Sequence, residues 1–143
     1  MNVEHPKTIK PESIAAEILE KNPVLGMKIA RALAIEPDLS TSALQEVVKF
    51  LYLIAYFEKK LTPSEPVDKA WHEFILSTRE YARFCEEHFG RFIHHSPGGD
   101  ESVNRRQYRQ TIALYHLNFG VSPDLFWKVT SISGSMCGNC QSI

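Results

Sequence analysis

The chain has 143 residues, of which 43% are hydrophobic and 23% are charged. This balance is typical of a soluble globular domain and excludes a disordered or fibrous chain. Sixteen Lys and Arg stand against seventeen Asp and Glu, which gives a formal net charge of -1. The length predicts one domain of ordinary size. Because nonspecific binding to phosphates requires an excess of basic residues, we expect no nucleic-acid partner.

The sequence lacks the patterns of a signal peptide, of a membrane-spanning segment and of a disulfide framework, and these three features bear on the expected cellular location. The first ten residues include Glu4, His5 and Lys7 and have no apolar core, so they do not resemble a signal peptide. The longest apolar run, at 50–57, is far shorter than the roughly 20 residues that cross a bilayer. Three cysteines are too few, and odd in number, for a disulfide framework. The sequence therefore predicts a cytoplasmic protein with reduced thiols and no membrane segment.

Apolar residues recur with helical spacing along most of the chain, and no strand-like alternation is bounded by Asn-Gly or Asp-Gly turns. This pattern predicts an all-α protein, a single compact bundle of five or six helices. The predicted helices cover about residues 11–21, 24–35, 40–60, 64–89, 100–119 and 123–127. We expect residues 1–130 to form the helical domain and residues 131–143 to form a flexible tail that contains two cysteines.

The third predicted helix carries two apolar stripes on different sides. One stripe includes Leu44, Val48 and Leu51, and the other includes Phe50 and Leu53. A helix that is apolar on two faces normally lies at the centre of a bundle. The fourth predicted helix is the longest, and its inward face includes Trp71, Phe74 and Cys85.

Two stretches of the sequence resemble a known family. The first stretch reads Pro63-Ser64-x-x-Val67-Asp68-x-x-Trp71-His72-x-Phe74-Ile75, followed by Tyr81, Phe84-Cys85 and Phe89-Gly90-x-Phe92-Ile93-His94-His95-x-Pro97. The second reads Tyr108-x-x-Thr111-x-x-Leu114-Tyr115-x-x-x-Phe119-Gly120-x-x-Pro123-x-x-x-Trp127. Together they resemble the helical domain of glycine-rich domain-containing proteins. The resemblance implies a compact helical domain and no particular activity. Members of that family carry a long Gly-rich tail, whereas this chain has only seven Gly in all.

The first candidate for chemistry is the pair Asp68 and His72. Four residues apart on a helix, the two side chains lie one turn apart on the same side. A carboxylate in that position can fix the tautomer of the imidazole, or the two groups can bind one metal ion. The alternative is an ion pair at the start of a helix, where the helix dipole also favours Asp68.

The second candidate is the pair His94 and His95 in a loop rich in Pro and Gly. Imidazole is a common ligand of zinc and iron near neutral pH. An uninterrupted fourth helix, however, would place Asp68 ~30 Å from Gly90 at 1.5 Å per residue, so the loop would have to run back along the helix to reach His72. The alternative is that His94 and His95 cap the last carbonyls of that helix and pack on Tyr81 or Phe92.

The spacing Cys137-x-x-Cys140 suits either metal binding or redox chemistry. A structural zinc site usually needs four ligands, so these thiols would have to recruit histidines or a second chain. The alternative is an inert, solvated tail.

Two hypotheses for function follow from these residues. The first is a metal-binding domain, either a metal-handling protein or a metalloenzyme. Its divalent ion, zinc or iron, would be held by ligands drawn from Asp68, His72, His94, His95, Cys137 and Cys140. The second is a non-catalytic helical module that docks a protein partner through aromatic residues such as Tyr52, Tyr56 and Phe57. The sequence does not predict an oligomeric state or a substrate.

Overall fold

The computed structural model describes residues 2–96 and 98–127, and in these ranges the chain forms seven α-helices, two short 3₁₀ helices and no strand. The α-helices are α1 (Pro11–Lys21), α2 (Pro23–Leu33), α3 (Ser40–Phe57), α4 (Glu65–Leu76), α5 (Thr78–Phe89), α6 (Glu101–Phe119) and α7 (Asp124–Trp127). The 3₁₀ helices are Pro6–Thr8 and Pro37–Leu39. The predicted all-α bundle is confirmed. The predicted boundary at residue 130 and the tail at 131–143 lie outside the described residues. Within the described ranges, no helix is long and apolar enough to span a membrane.

Local chemistry sets several of the helix ends. The backbone N–H of Asn22 bonds to the carbonyl of Ile18 at the end of α1, and its side chain accepts a hydrogen bond from the N–H of Leu25 in the first turn of α2. A single residue thus caps two helices. Ala34 and Glu58 end α2 and α3 in the left-handed conformation, with φ of 56° and 53°.

Helix α3 lies at the centre of the bundle, as its two apolar stripes predicted, and contacts α1, α2, α4 and α6. Its buried side chains include Leu44, Val47, Val48, Phe50, Leu51 and Leu53. Burial on both stripes explains why a helix of this length has almost no exposed face. Its last turn, near Ile54, also forms part of the surface cleft described below.

The prediction of one continuous helix over residues 64–89 is wrong, because the helix breaks at Ser77. Ser77 has φ of -84° and ψ of 70°, outside the helical region, and its hydroxyl oxygen accepts a hydrogen bond from the amide of Asn22 at 3.2 Å. Ten residues along one continuous helix would separate Trp71 from Tyr81 by about 15 Å along the axis. In the folded chain the Trp71 Nε1–H donates to the Tyr81 hydroxyl at 3.0 Å. The break therefore folds α5 back against α4.

Candidate functional site

The loop that follows α5 is attached to the bundle through Tyr81. The hydroxyl of Tyr81 accepts from Trp71 and donates to the backbone carbonyl of Ile93 at 2.6 Å. Burial raises the pKa of Tyr81 far above its ordinary value, so the phenol keeps its proton and remains a donor. This hydrogen-bond chain fixes the loop beside α4 and returns its histidines toward the start of that helix.

At the start of α4 the loop brings His95 onto Asp68. The Nε2 atom of His95 lies 2.7 Å from Asp68 Oδ1, although the two residues are 27 positions apart. The Asp68 side chain is 3% exposed and the His95 side chain 16%, so the contact is largely removed from water. The rings of Trp71 and His95 lie 4.5 Å apart, measured between centroids. Asp68 also lies near the positive end of the α4 dipole, which favours a carboxylate.

The second ring nitrogen of His95 remains accessible. Over residues 2–96 and 98–127, Nδ1 of His95 makes no hydrogen bond. Because every fully buried side-chain N or O atom in these ranges has a partner, Nδ1 is not fully buried. When Nε2 carries the proton and donates it to Asp68, Nδ1 holds a lone pair. The pair can therefore accept a hydrogen bond or a proton from a bound molecule.

The pair forms part of the wall of a surface cleft of about 430 Å³, which we call the His95 cleft. Apolar side chains form part of its wall, namely Ile54, Leu61, Trp71, Phe92, Ile93 and Val103. Three long basic side chains, Lys59, Lys60 and Arg91, also line it. A cleft of this size that combines apolar and polar groups is within the range of small-molecule sites.

The first turns of α6 contribute two side-chain amides to the lining of the cleft. Asn104 is buried, and it both accepts from the N–H of Gly99 at 3.3 Å and donates to the carbonyl of Gly99 at 3.1 Å. One turn later, Gln107 accepts a hydrogen bond from the hydroxyl of Thr62 at 3.0 Å. The Asn104 bonds hold the end of the loop against α6, and the Gln107 bond holds the segment between α3 and α4 against the same helix.

The structure brings together some of the six predicted metal ligands and separates others. Asp68 and His95 meet directly. His72 is exposed, and its ring centroid lies 6.1 Å from that of His95. His94 packs on Phe92 with a centroid distance of 4.7 Å, in line with the alternative that the loop histidines pack on aromatic residues. Cys137 and Cys140 lie outside the described residues.

The same region does not form a complete metal centre in this conformation. In the part of the chain that the structure describes, no group of three or more His, Cys, Asp or Glu side chains is arranged to hold an ion. Two imidazoles bound to one ion at metal–nitrogen distances of ~2.1 Å have centroids roughly 4.5–6.5 Å apart, depending on the angle at the metal. The separation of His72 and His95 falls in that range, but with Asp68 they do not form such a group among the described residues.

Comparison with known proteins identifies the family of the chain. A family model matches residues 18–116, which is more than half of the 143 residues. The chain belongs to the UCP032817-like family. The match covers α2 to α5 completely and includes Asp68, His72 and His95. No curated protein matches the chain, and no solved structure does.

The UCP032817-like match corrects the resemblance to glycine-rich domain-containing proteins, which is wrong. Much of the pattern that suggested that family is the buried core, as the burial of Val67, Trp71, Phe74, Tyr81 and Phe84 shows. Aromatic and aliphatic residues at such spacing are needed by any helical bundle with this packing. They therefore do not identify one family.

Several polar residues of the His95 cleft were not predicted from the sequence. Lys59 and Lys60 follow the end of α3, Arg91 follows the end of α5, and Asn104 and Gln107 lie on α6. They come from three distant segments, so spacing along the chain carries no sign of their proximity. The one available signal was a basic residue near each of two predicted helix ends, namely Lys60 at the end of the third predicted helix and Arg91 two residues after the fourth.

Proposed function

We propose that this protein binds a small molecule in the His95 cleft and that the Asp68–His95 pair is its polar anchor. The observation that carries the proposal is the nearly water-excluded hydrogen bond between the two side chains in the wall of a cleft of about 430 Å³. Sites for small molecules usually combine apolar walls with a few well-placed polar groups. The cleft has both.

The energetics of burial support a role beyond packing. Removing a carboxylate and an imidazole from water carries a desolvation penalty, and packing alone would favour an apolar pair in their place. Trp71 and Tyr81 orient the loop, and Asp68 orients the imidazole so that Nδ1 stays accessible. An oriented imidazole with one accessible nitrogen suits the recognition of a hydroxyl, amide or acid group, or proton exchange with it.

The test is a titration of the full chain with small polar fragments, followed by nitrogen-15 NMR at the two tryptophan indoles. Trp71 lines the cleft, whereas the Trp127 indole donates to Glu46 in the core and serves as an internal control. We expect bound fragments to shift the Trp71 signal and leave Trp127 in place. Because His95 anchors the ligand, His95→Ala should weaken binding at least about tenfold, the usual effect of losing a buried polar contact.

The matched control is His116→Ala, since His116 is an exposed histidine on α6 outside the cleft. This variant should bind fragments as the wild type does. Fragments that shift both indoles alike, or that bind His95→Ala with unchanged affinity, would contradict the proposal.

A second candidate is a divalent zinc or iron ion, which the 6.1 Å separation of His72 and His95 favours. Rotation of the exposed His72 side chain toward Asp68 and His95 would supply three ligands and leave a position open for water. A zinc arm of the same titration tests it. Saturation at about one ion per chain, lost in His72→Ala, would support the metal site. A chain that binds neither zinc nor fragments would leave the protein-interaction module as the remaining hypothesis.

A further inference from the structure

The charge distribution around the His95 cleft differs from that of the whole chain. The chain has a net charge of -1, but the cleft is lined by Lys59, Lys60 and Arg91 together with His94 and His95. Its one acidic lining residue, Asp68, is already hydrogen-bonded to His95. The cleft is therefore basic on a slightly acidic protein.

The three basic side chains are also not neutralised by neighbours. Over the described ranges, Lys59, Lys60 and Arg91 form no ion pair and no side-chain hydrogen bond, and all three are exposed. Their charge is therefore available to a bound molecule, unlike that of Lys49, which is paired with the buried Glu46. Unpaired cations that line one cleft raise the local concentration of anions.

One further group in the wall adds hydrogen-bonding capacity of the matching kind. The side-chain oxygen of Gln107 is occupied by Thr62, and its amide NH₂ group makes no hydrogen bond to the described residues. An amide donor beside guanidinium and ammonium groups suits the oxygen atoms of a carboxylate or phosphate. The apolar part of the wall, with Trp71 and Phe92, suits an uncharged organic body.

We propose that the ligand of the His95 cleft is a small organic anion, with its carboxylate or phosphate at Lys59, Lys60 and Arg91 and its apolar body against Trp71 and Phe92. The inference rests on the proposed function and adds the charge of the ligand. The volume of about 430 Å³ favours a small molecule over a polymer. Because the cations are exposed, their attraction for the anion weakens as salt is added.

The test uses three probes of nearly the same shape and different charge, namely benzoate, benzamide and benzamidinium. Each is titrated into the full chain at low salt, with the Trp71 indole as the reporter and Trp127 as the internal control. We expect benzoate to bind at least about tenfold more tightly than benzamide, and benzamidinium to bind most weakly. In the triple variant Lys59→Gln, Lys60→Gln, Arg91→Gln, the preference for benzoate should fall below about twofold.

The matched control is the triple variant Lys10→Gln, Lys28→Gln, Arg31→Gln, which removes the same charge from exposed positions outside the cleft. It should keep the preference for benzoate. Equal affinity for benzoate and benzamide at Trp71 would overturn the anion inference and leave the small-molecule proposal standing. Retention of the preference in the cleft triple variant would overturn it as well. If no probe shifts Trp71, the anion inference and the proposed function both fail.

Discussion

Replacing Glu46 with alanine is expected to lower the free energy of unfolding by about 3–5 kcal/mol, the usual cost of breaking a buried charged pair. Glu46 is buried in α3 and accepts hydrogen bonds from the Tyr115 hydroxyl at 2.5 Å and from the Trp127 indole at 2.8 Å. It also pairs with Lys49 at 3.1 Å. The variant leaves one cation and two donors without their shared acceptor. Urea denaturation followed by circular dichroism measures the loss.

Tyr115 remains a donor in this cluster because burial and the nearby Glu46 carboxylate both raise the pKa of its phenol. Glu46→Gln keeps a side-chain oxygen for Tyr115 and Trp127, so we expect it to lose less stability than Glu46→Ala. The control is Glu17→Ala, which removes an exposed ion pair with Lys21 and should cost about 0–1 kcal/mol. Equal losses in Glu46→Ala and Glu17→Ala would contradict the role of the cluster in joining α3 to α6 and α7.

The second large effect is expected from Phe50→Ala, which should lower the free energy of unfolding by about 3–5 kcal/mol. The Phe50 side chain is 0% exposed, and its ring lies 5.5 Å from Trp71 and 6.4 Å from Trp127 between centroids. Truncation removes a fully buried ring and leaves a cavity between two tryptophans, which cannot collapse without moving helices. The same denaturation experiment, with tryptophan fluorescence added, measures the change.

Leu117→Ala provides the comparison for Phe50→Ala, since Leu117 is 71% exposed on α6. This substitution should change stability by no more than about 0.5 kcal/mol. A loss in Phe50→Ala as small as that in Leu117→Ala would show that α3 is not the centre of the core.

The central position of α3 could be predicted from sequence because it depends on a local pattern. Two apolar stripes on one helix require cover on two sides, whatever the neighbouring helices are. The ends of α1 and α6 were predicted well for the same reason, since Pro11, Asn22 and Gly120 act within one helical turn.

The break at Ser77 was not predicted, and no Pro or Gly marks it. The backbone of Ser77 is not helical. Two distant contacts accompany this conformation: the side-chain amide of Asn22, 55 positions away, donates to the Ser77 hydroxyl, and the Trp71 indole donates to the Tyr81 hydroxyl. These are tertiary interactions that override a weak local preference for helix. Tyr81 is fully buried as a result.

Only some residues of the candidate site were named from the sequence, as metal ligands, and their geometry was not predicted. Asp68, His72 and His95 were identified, but a continuous helix would have held the ends of the segment ~30 Å apart. The break removes that separation and brings His95 to Asp68, while His72 stays on the exposed side. The Glu46 cluster was missed because its partners Tyr115 and Trp127 are 69 and 81 positions away.

The most direct test of the Asp68–His95 anchor is nitrogen-15 NMR of the histidine side chains in the full chain at about pH 8.5, where an ordinary imidazole is neutral. Because Asp68 lies 2.7 Å from Nε2, we expect His95 to hold its proton on Nε2 and to leave Nδ1 unprotonated. In Asp68→Ala that preference should disappear, while the signals of exposed His116 stay unchanged. A proton fixed on Nδ1 of His95, or a His95 signal indifferent to the loss of Asp68, would contradict the account.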